Sequence, residues 1–227
     1  MGADIRVIIP AYNEQNSVGK VIRDIPSGLV SEIVVVNNAS TDRTRSEAEA
    51  AGATVLDEQR QGYGFACLKG LEYLSKIRPD IVVFIDADYS DHPEEMTRLV
   101  APILDGDFDM VIGSRALGNR ERGSMTLPQV FGNWLATSLL KIMYGVRFTD
   151  LGPFRAIRYE SLERIEMQDQ TFGWTVEMQL KAAKHKLRST EIPVTYRRRI
   201  GKSKISGTVK GTIMAGYKIL WTLFKYR

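Results

Sequence analysis

The sequence predicts an open α/β fold, a mostly parallel central sheet with helices on both faces. Three observations predict it. Short apolar runs recur through the first half as RVIIP, EIVVV, ATVL, IVVFI and DMVIG. Helix-like stretches separate them at the spacing of strand–helix–strand units, which build parallel sheets. The runs EIVVV and IVVFI do not alternate apolar with polar residues, as expected of strands covered on both faces.

The helical stretches fall near Val18–Ile25, Arg43–Ala51, Phe65–Ser75 and Pro93–Leu104. Asp42 is placed to cap the second, and Asp91 or His92-Pro93 opens the fourth. The second half is less regular. A helix is expected over Phe131–Tyr144, apolar enough to be buried or to touch lipid. TDLGPFRAIR reads as a loop leading into a short strand, Thr175–Lys184 as a helix and STEIPVTYRRR as a final strand. The chain divides into one domain over residues 1–206 and a basic amphipathic helix over 207–227. That helix either packs on the domain or lies on a membrane surface.

With 227 residues and a net charge of +4, the chain is long enough for one domain with a sizeable core. No apolar stretch reaches the roughly 18 residues of a membrane span, and the start reads as a strand rather than a leader. The single Cys67 has no internal disulfide partner, which fits a reduced, cytosolic setting. Charge is unevenly placed: from Lys184 onward the only acid is Glu191, among many lysines and arginines. A basic end on an acidic body suits a polyanion, whether nucleic acid, an anionic membrane or a phosphorylated ligand.

In open parallel sheets, ligands bind beyond the carboxyl ends of the strands. Three polar segments fall at such ends: PAYNE after the first strand, NNASTD after the second, and DADYSD after IVVFI. Asp86 and Asp88, one residue apart, would raise each other's cost of ionising unless a cation were near. Such a pair suits Mg²⁺ or Mn²⁺, which take one or two carboxylates and complete the shell with water and phosphate oxygens; the competing reading is a helix cap. Gly62 and Gly64, just before a helix, either let a phosphate approach or simply serve a turn. Asn37 and Asn38 either offer donor and acceptor to a nucleobase edge or belong to a turn. RRRIGKSK is either a solvated charged face or a loop that wraps phosphate. His92 and His185 stand alone, and neither a nucleophile–His–acid set nor a zinc spacing occurs.

The ordered series IIPAYNE, VVVNNASTD, GYGFACLKG, FIDADYSD, VIGSR, DLGPFRAI and RRRIGKSK resembles glycosyltransferase family 2 with the GT-A fold. Within it the likeness is nearest to dolichyl- and polyprenyl-phosphate sugar synthases and their bacterial relatives. It runs in order from about Ile5 to Lys204. The resemblance implies inverting, metal-dependent transfer of a hexose from a UDP- or GDP-sugar to polyprenyl phosphate. It implies that Pro10, Ala11, Tyr12, Glu14, Asn37, Asn38, Gly64, Asp86 and Ala87 line the nucleotide-sugar site. Asp86 and Asp88 would hold Mg²⁺ or Mn²⁺, while Arg199, Ser203 and Lys204 close on the diphosphate. Arg115 would meet the acceptor or the sugar phosphate, and Asp150 and Arg155 the acceptor. The chain departs from the family's common Asp-Asp-Gly-Ser, having Asn37-Asn38-Ala39-Ser40, which leaves UDP and GDP both open. Ser90 followed by Asp91 stands where a glutamine is common, and Met125–Gly132 lacks the family's lipid-phosphate arginine.

A phosphate acceptor is already anionic and needs no general base. A hydroxyl acceptor needs one, and Glu177 or Asp150 would supply it; Glu177 lies between Trp174 and Met178, where desolvation can raise its pKa. A nucleotidyltransferase would show a glycine-rich, basic signature where PAYNEQNS stands. A nucleic-acid binder would leave Asp86 and Asp88 unexplained, so no nucleic acid partner is expected. The reading is a peripheral enzyme on the cytoplasmic face of a membrane, held there by the C-terminal helix.

Overall fold

A computed structural model describes residues 2–201, 216, 217, 220–222 and 224–226. Its centre is a seven-stranded sheet. In chain order the strands are β1 Ile5–Ala11, β2 Glu32–Asn37, β3 Thr54–Asp57, β4 Ile81–Phe84, β5 Met110–Ser114, β6 Arg155–Arg158 and β7 Ser189–Pro193. In space they run β3-β2-β1-β4-β6-β5-β7. All neighbours are parallel except β6, which runs antiparallel to both β4 and β5. The predicted mostly parallel sheet is therefore present.

Non-alternating apolar runs have the expected cause. On one face Ile8, Val34, Val36, Val82 and Phe84 join a core completed by Trp174, Val176 and Leu180. On the other, Val7, Ile9, Val35, Val83 and Ile85 pack with Val18, Val21, Met96 and Leu99. Successive strand residues thus enter opposite cores, and each face needs its own apolar residue. Phe84 meets Trp174 edge-on, with ring centroids 5.9 Å apart.

The helices are α1 Val18–Asp24, α2 Thr44–Ala50, α3 Tyr63–Leu74, α4 Met96–Leu104, α5 Leu127–Tyr144, α6 Tyr159–Ile165 and α7 Trp174–Lys184. A single 3₁₀ turn over Pro93–Glu95 leads into α4, with His92 before it. The N-cap of α2 is Arg43, one residue later than the predicted Asp42, although Asp42 Oδ1 does accept the Thr44 N–H at 2.9 Å. Helix α5 starts four residues before the predicted Phe131. Thr126 and Gln129 close a capping box there, and Pro128 falls in the first turn, where its missing N–H is harmless. Helix α6 was not expected.

The boundary near residue 206 and much of the 207–227 helix lie outside the described residues. Those described at 216–217, 220–222 and 224–225 are helical. Thr222 is buried, and the Tyr226 carbonyl accepts from Lys184 Nζ at 2.8 Å, while Tyr217, Trp221 and Phe224 are exposed. Among the described residues, no helix is long and apolar enough to cross a membrane.

Candidate active site

Strand β1 has β2 on one side and β4 on the other, and the chain reaches them by crossovers in opposite directions. This is the switch point where open sheets leave a crevice at the strand ends. A cavity of about 370 Å³ lies there. Pro10, Ala11, Tyr12 and Glu14 line it from the end of β1, and Asp86, Ala87 and Asp88 from the end of β4. Asn38, Gln61, Gly62, Tyr63, Thr171, Phe172 and Arg199 complete the wall. Three segments far apart in sequence therefore meet where the strand ends predicted. Ser203 and Lys204 lie outside the described residues.

The acids of this cavity are fixed unequally. Asp88 Oδ1 accepts from the Ser90 N–H at 2.9 Å and from its hydroxyl, and Oδ2 lies 3.2 Å from Arg199 Nη1. Glu14 Oε1 accepts from Arg199 Nη2 at 2.9 Å, and its Oε2 from the Ser17 hydroxyl at 2.9 Å. Asp86 Oδ1 and both Asp91 carboxylate oxygens are buried with no hydrogen-bond partner. Burial, then the neighbouring Asp88 charge, pushes the Asp86 carboxyl up to about 7, against pulls from Tyr63, Arg199 and Arg115. Asp91 is raised well above the usual range, by burial first and by Asp86 second.

Unpartnered buried carboxylate oxygens beside Asp88 make a hard-oxygen donor set, which suits Mg²⁺ or Mn²⁺. Among the described residues, no three His, Cys, Asp or Glu side chains form a metal cage. A divalent ion held by Asp86 and Asp88 would thus need further oxygens from a ligand, as expected of an ion that bridges phosphates.

Several predicted residues have other duties. Asn38 Nδ2 donates to the Glu58 and Arg60 carbonyls at 3.2 and 2.7 Å, and its Oδ1 accepts the Gly62 N–H at 2.8 Å. Both its N–H donors are spent on holding loop 58–62, which leaves only a lone pair of Oδ1 to offer from the cavity wall. Asn37 Nδ2 donates to Asp57 Oδ1 at 2.9 Å, and Asn37 is absent from the cavity wall. Tyr12 and Gln61 stand on that wall instead, with Gln61 Nε2 donating to the Tyr12 hydroxyl at 3.2 Å.

Gly64 is not a phosphate cradle. Its N–H donates to the Thr171 carbonyl at 3.1 Å, and a Cβ there would lie 2.0 Å from the Asp169 carbonyl oxygen. The glycine lets loop 168–173 press against the start of α3. Glu177 serves that same loop. Fully buried, its carboxylate accepts the Gln168 and Asp169 N–H groups at 2.9 and 2.7 Å and pairs with Lys181 Nζ at 2.8 Å. A carboxylate so engaged, away from the cavity wall, is a support for Thr171 and Phe172 and not the expected general base. Arg155 is likewise fully buried, donating to the Gly152, Leu151 and Thr175 carbonyls at 3.0 to 3.1 Å. It organises the turn before β6 and is out of reach of an acceptor, and burial lowers its pKa to about 10.

Arg115, just past β5, forks onto Asp150 with two 2.7 Å bonds and lies 5.0 Å from the Tyr196 ring centroid. Asp150 also lines a second cavity of about 320 Å³, with Ala116, Arg120, Met125, Val130, Asn133, Trp134, Thr137 and Thr149. Arg115, which also pulls on the Asp86 proton equilibrium, thus connects the two sites electrostatically. The Arg120 guanidinium donates to the Met125 sulfur at 3.3 Å, a weak acceptor for a cation. Beside this cavity α5 exposes Leu127, Val130, Phe131, Trp134 and Ile142, each at least 40% accessible. Gln61, Tyr63, Thr171, Phe172 and Arg120 were not singled out from the sequence; only Tyr63, between two glycines at a helix start, had a local signal.

The chain is 30% identical over 222 residues to the undecaprenyl-phosphate mannosyltransferase of Micrococcus luteus, covering 91% of this chain and 89% of that one. It is 32% identical over 207 residues to the dolichyl-phosphate hexose transferase of Haloferax volcanii, covering 89% and 86%. Among solved structures it resembles glucosyl-3-phosphoglycerate synthase from Mycobacterium tuberculosis in complex with Mn²⁺, UDP and phosphoglyceric acid. That match has a TM-score of 0.77 at 25% identity and covers 99% of this chain and 78% of the other. The family model described as Glycosyl transferase family 2 matches residues 6–166, a span that holds the switch point between β1 and β4 and the paired aspartates, and the chain belongs to glycosyltransferase family 2 and is a glycosyltransferase.

Proposed function

We propose that this enzyme transfers a hexose, with inversion, from a nucleoside-diphosphate sugar to a polyprenyl phosphate at a membrane surface. The observation that supports this acceptor most is the second cavity. It combines one weakly engaged cation, Arg120, with an apolar wall that continues onto the exposed face of α5. A phosphate headed by a long isoprenoid has that pairing of anionic tip and apolar body. The two lipid-phosphate transferases among the relatives point the same way.

On this reading the nucleotide lies along Pro10–Tyr12 and Gln61, and its diphosphate over Asp86 and Asp88. Asp86 and Asp88 would hold the divalent ion, whose charge would offset the negative charge that builds on a leaving diphosphate. Ser90 keeps the Asp88 carboxylate turned toward the cavity. Arg199 supplies a guanidinium to the phosphate oxygens, stabilising charge that grows in the transition state. Arg120 faces the acceptor phosphate, with Arg115 behind it on Asp150; the phosphate attacks the anomeric carbon as an anion and needs no base. Tyr217, Trp221 and Phe224 add an exposed aromatic face near the C-terminus, suited to the bilayer interface.

A transfer assay tests the proposal, with radiolabelled UDP- and GDP-hexoses, Mn²⁺ or Mg²⁺ and a short polyprenyl phosphate, scored by label in the organic phase. Metal-dependent label there supports it and identifies the base. Donor turnover with label only in the aqueous phase would overturn the lipid acceptor and favour a hydroxyl acceptor, with Asp150 the base to test.

A further inference from the structure

Arg199 is held on a fixed segment, not on a wandering loop. The Ile200 N–H donates to the Asp88 carbonyl and the Arg197 N–H to the Ser90 carbonyl, both at 2.9 Å. Arg197 lies 3.4 Å from the Tyr89 ring centroid and donates to the Tyr89 carbonyl at 2.7 Å. Residues 197–200 are thereby laid along residues 88–91, which aims the Arg199 side chain into the donor cavity.

There it spans two acids. One nitrogen meets Glu14 at 2.9 Å and another meets Asp88 Oδ2 at 3.2 Å. Ser90 already takes Asp88 Oδ1, and Ser17 takes the second Glu14 oxygen. The Asp88 oxygen that Ser90 leaves open is therefore the one the guanidinium uses. Its Nε is buried and lacks a partner, a donor left over for an incoming oxygen.

We propose that Arg199 competes with the divalent ion for Asp88, so that metal binds well only together with the nucleoside diphosphate. This rests on the metal placement given above. A metal arriving alone must displace the guanidinium from Asp88 and leave two cations side by side in a partly buried site, where their repulsion is weakly screened. A metal arriving with a diphosphate brings the oxygens that take over the guanidinium, and both cations end up paired. The exchange couples the two ligands, and coupling of this kind is reciprocal. Arg199 thus guards the carboxylates against adventitious metal as well as gripping the donor.

Mn²⁺ binding to the full chain, followed by the electron paramagnetic resonance signal of free Mn²⁺, tests this without any turnover. The variants are R199Q, R199K and D88N, each measured alone and with UDP or GDP. In the absence of nucleotide, R199Q should bind Mn²⁺ several-fold to tenfold tighter than the wild type. R199K, which keeps a cation near Asp88, should stay within about twofold of the wild type. With nucleotide present the order should reverse, R199Q binding the Mn²⁺–nucleotide pair more weakly. Equal or weaker Mn²⁺ binding by R199Q alone, with D88N still abolishing binding, would overturn the competition and leave the metal placement standing. Wild-type Mn²⁺ affinity in D88N would overturn the metal placement itself, and the competition with it. If R199Q proves unstable, R199K decides: Mn²⁺ binding tenfold tighter than the wild type would contradict a cation held at Asp88.

Discussion

The two cavities differ in what builds them. The donor cavity is made by strand ends and tight loops whose polar groups are bonded to backbone: Asp88 to Ser90, Asn38 to loop 58–62, Glu177 to loop 168–173. The second cavity is made by side chains of one helix, α5, together with Arg120 and other residues on irregular segments. A site fixed by backbone hydrogen bonds tolerates little change, whereas one lined by exposed side chains can be rebuilt without disturbing the sheet. Nucleotide-sugar chemistry should therefore be the shared property of the fold, and acceptor choice the property of this chain.

Variants can break that division, beginning with the largest effect. Asp88→Asn should lower transfer about a thousandfold, since it removes a carboxylate that stabilises leaving-group charge. Circular dichroism should stay native, and a variant with wild-type turnover would remove Asp88 from the donor site. Glu177→Ala should act on the fold. It leaves the buried Asp169 N–H and the half-buried Gln168 N–H without their acceptor and Lys181 without its ion-pair partner, a loss of about 3 kcal/mol by analogy with broken buried pairs. Thermal melting should show that loss, and the pH profile of the remaining activity should keep its shape. A lost acidic limb at unchanged melting temperature would restore Glu177 as a base.

Arg120→Gln should raise the KM for polyprenyl phosphate about tenfold, the scale of one charge-assisted hydrogen bond, and leave the KM for the sugar nucleotide unchanged. The smallest effect concerns pH. With its folded pKa raised to about 7, Asp86 holds a proton in the folded protein that the unfolded chain has lost. Its contribution to stability is therefore complete below the unfolded value, declines as pH rises toward 7 and is gone above it. Because a ligand must lose its proton, Mn²⁺ binding should move oppositely, weakening several-fold between pH 7 and 6. A flat profile in both measurements would place Asp86 outside the metal site.

The same contrast governs what the sequence could reveal. Strands β1, β2 and β4 were legible because burial on both faces leaves no polar residue inside IIP, VVV or VVF. Asp86 and Asp88 were legible because a carboxylate pair ending such a strand has no use in a core. Glu177 was not, since an acid in an apolar helix looks alike whether it faces a cavity or two backbone N–H groups. Gly64 was misread for a similar reason: a glycine signals close approach, and here the approaching group is the Asp169 carbonyl rather than phosphate. The antiparallel insertion of β6 between β4 and β5 was hidden because RAIR carries no directional signal. Arg120 and loop 168–173 belong to their sites only through folding, with no local pattern to mark them.

The most direct test of the division between the sites is a paired KM measurement on Phe131→Ser/Trp134→Ser, two exposed positions of α5. The KM for polyprenyl phosphate in vesicles should rise about tenfold or more, as expected from removing two large apolar side chains from a lipid contact, while the KM for the sugar nucleotide stays within twofold. An unchanged lipid KM, or equal rises in both, would contradict an acceptor site built on α5.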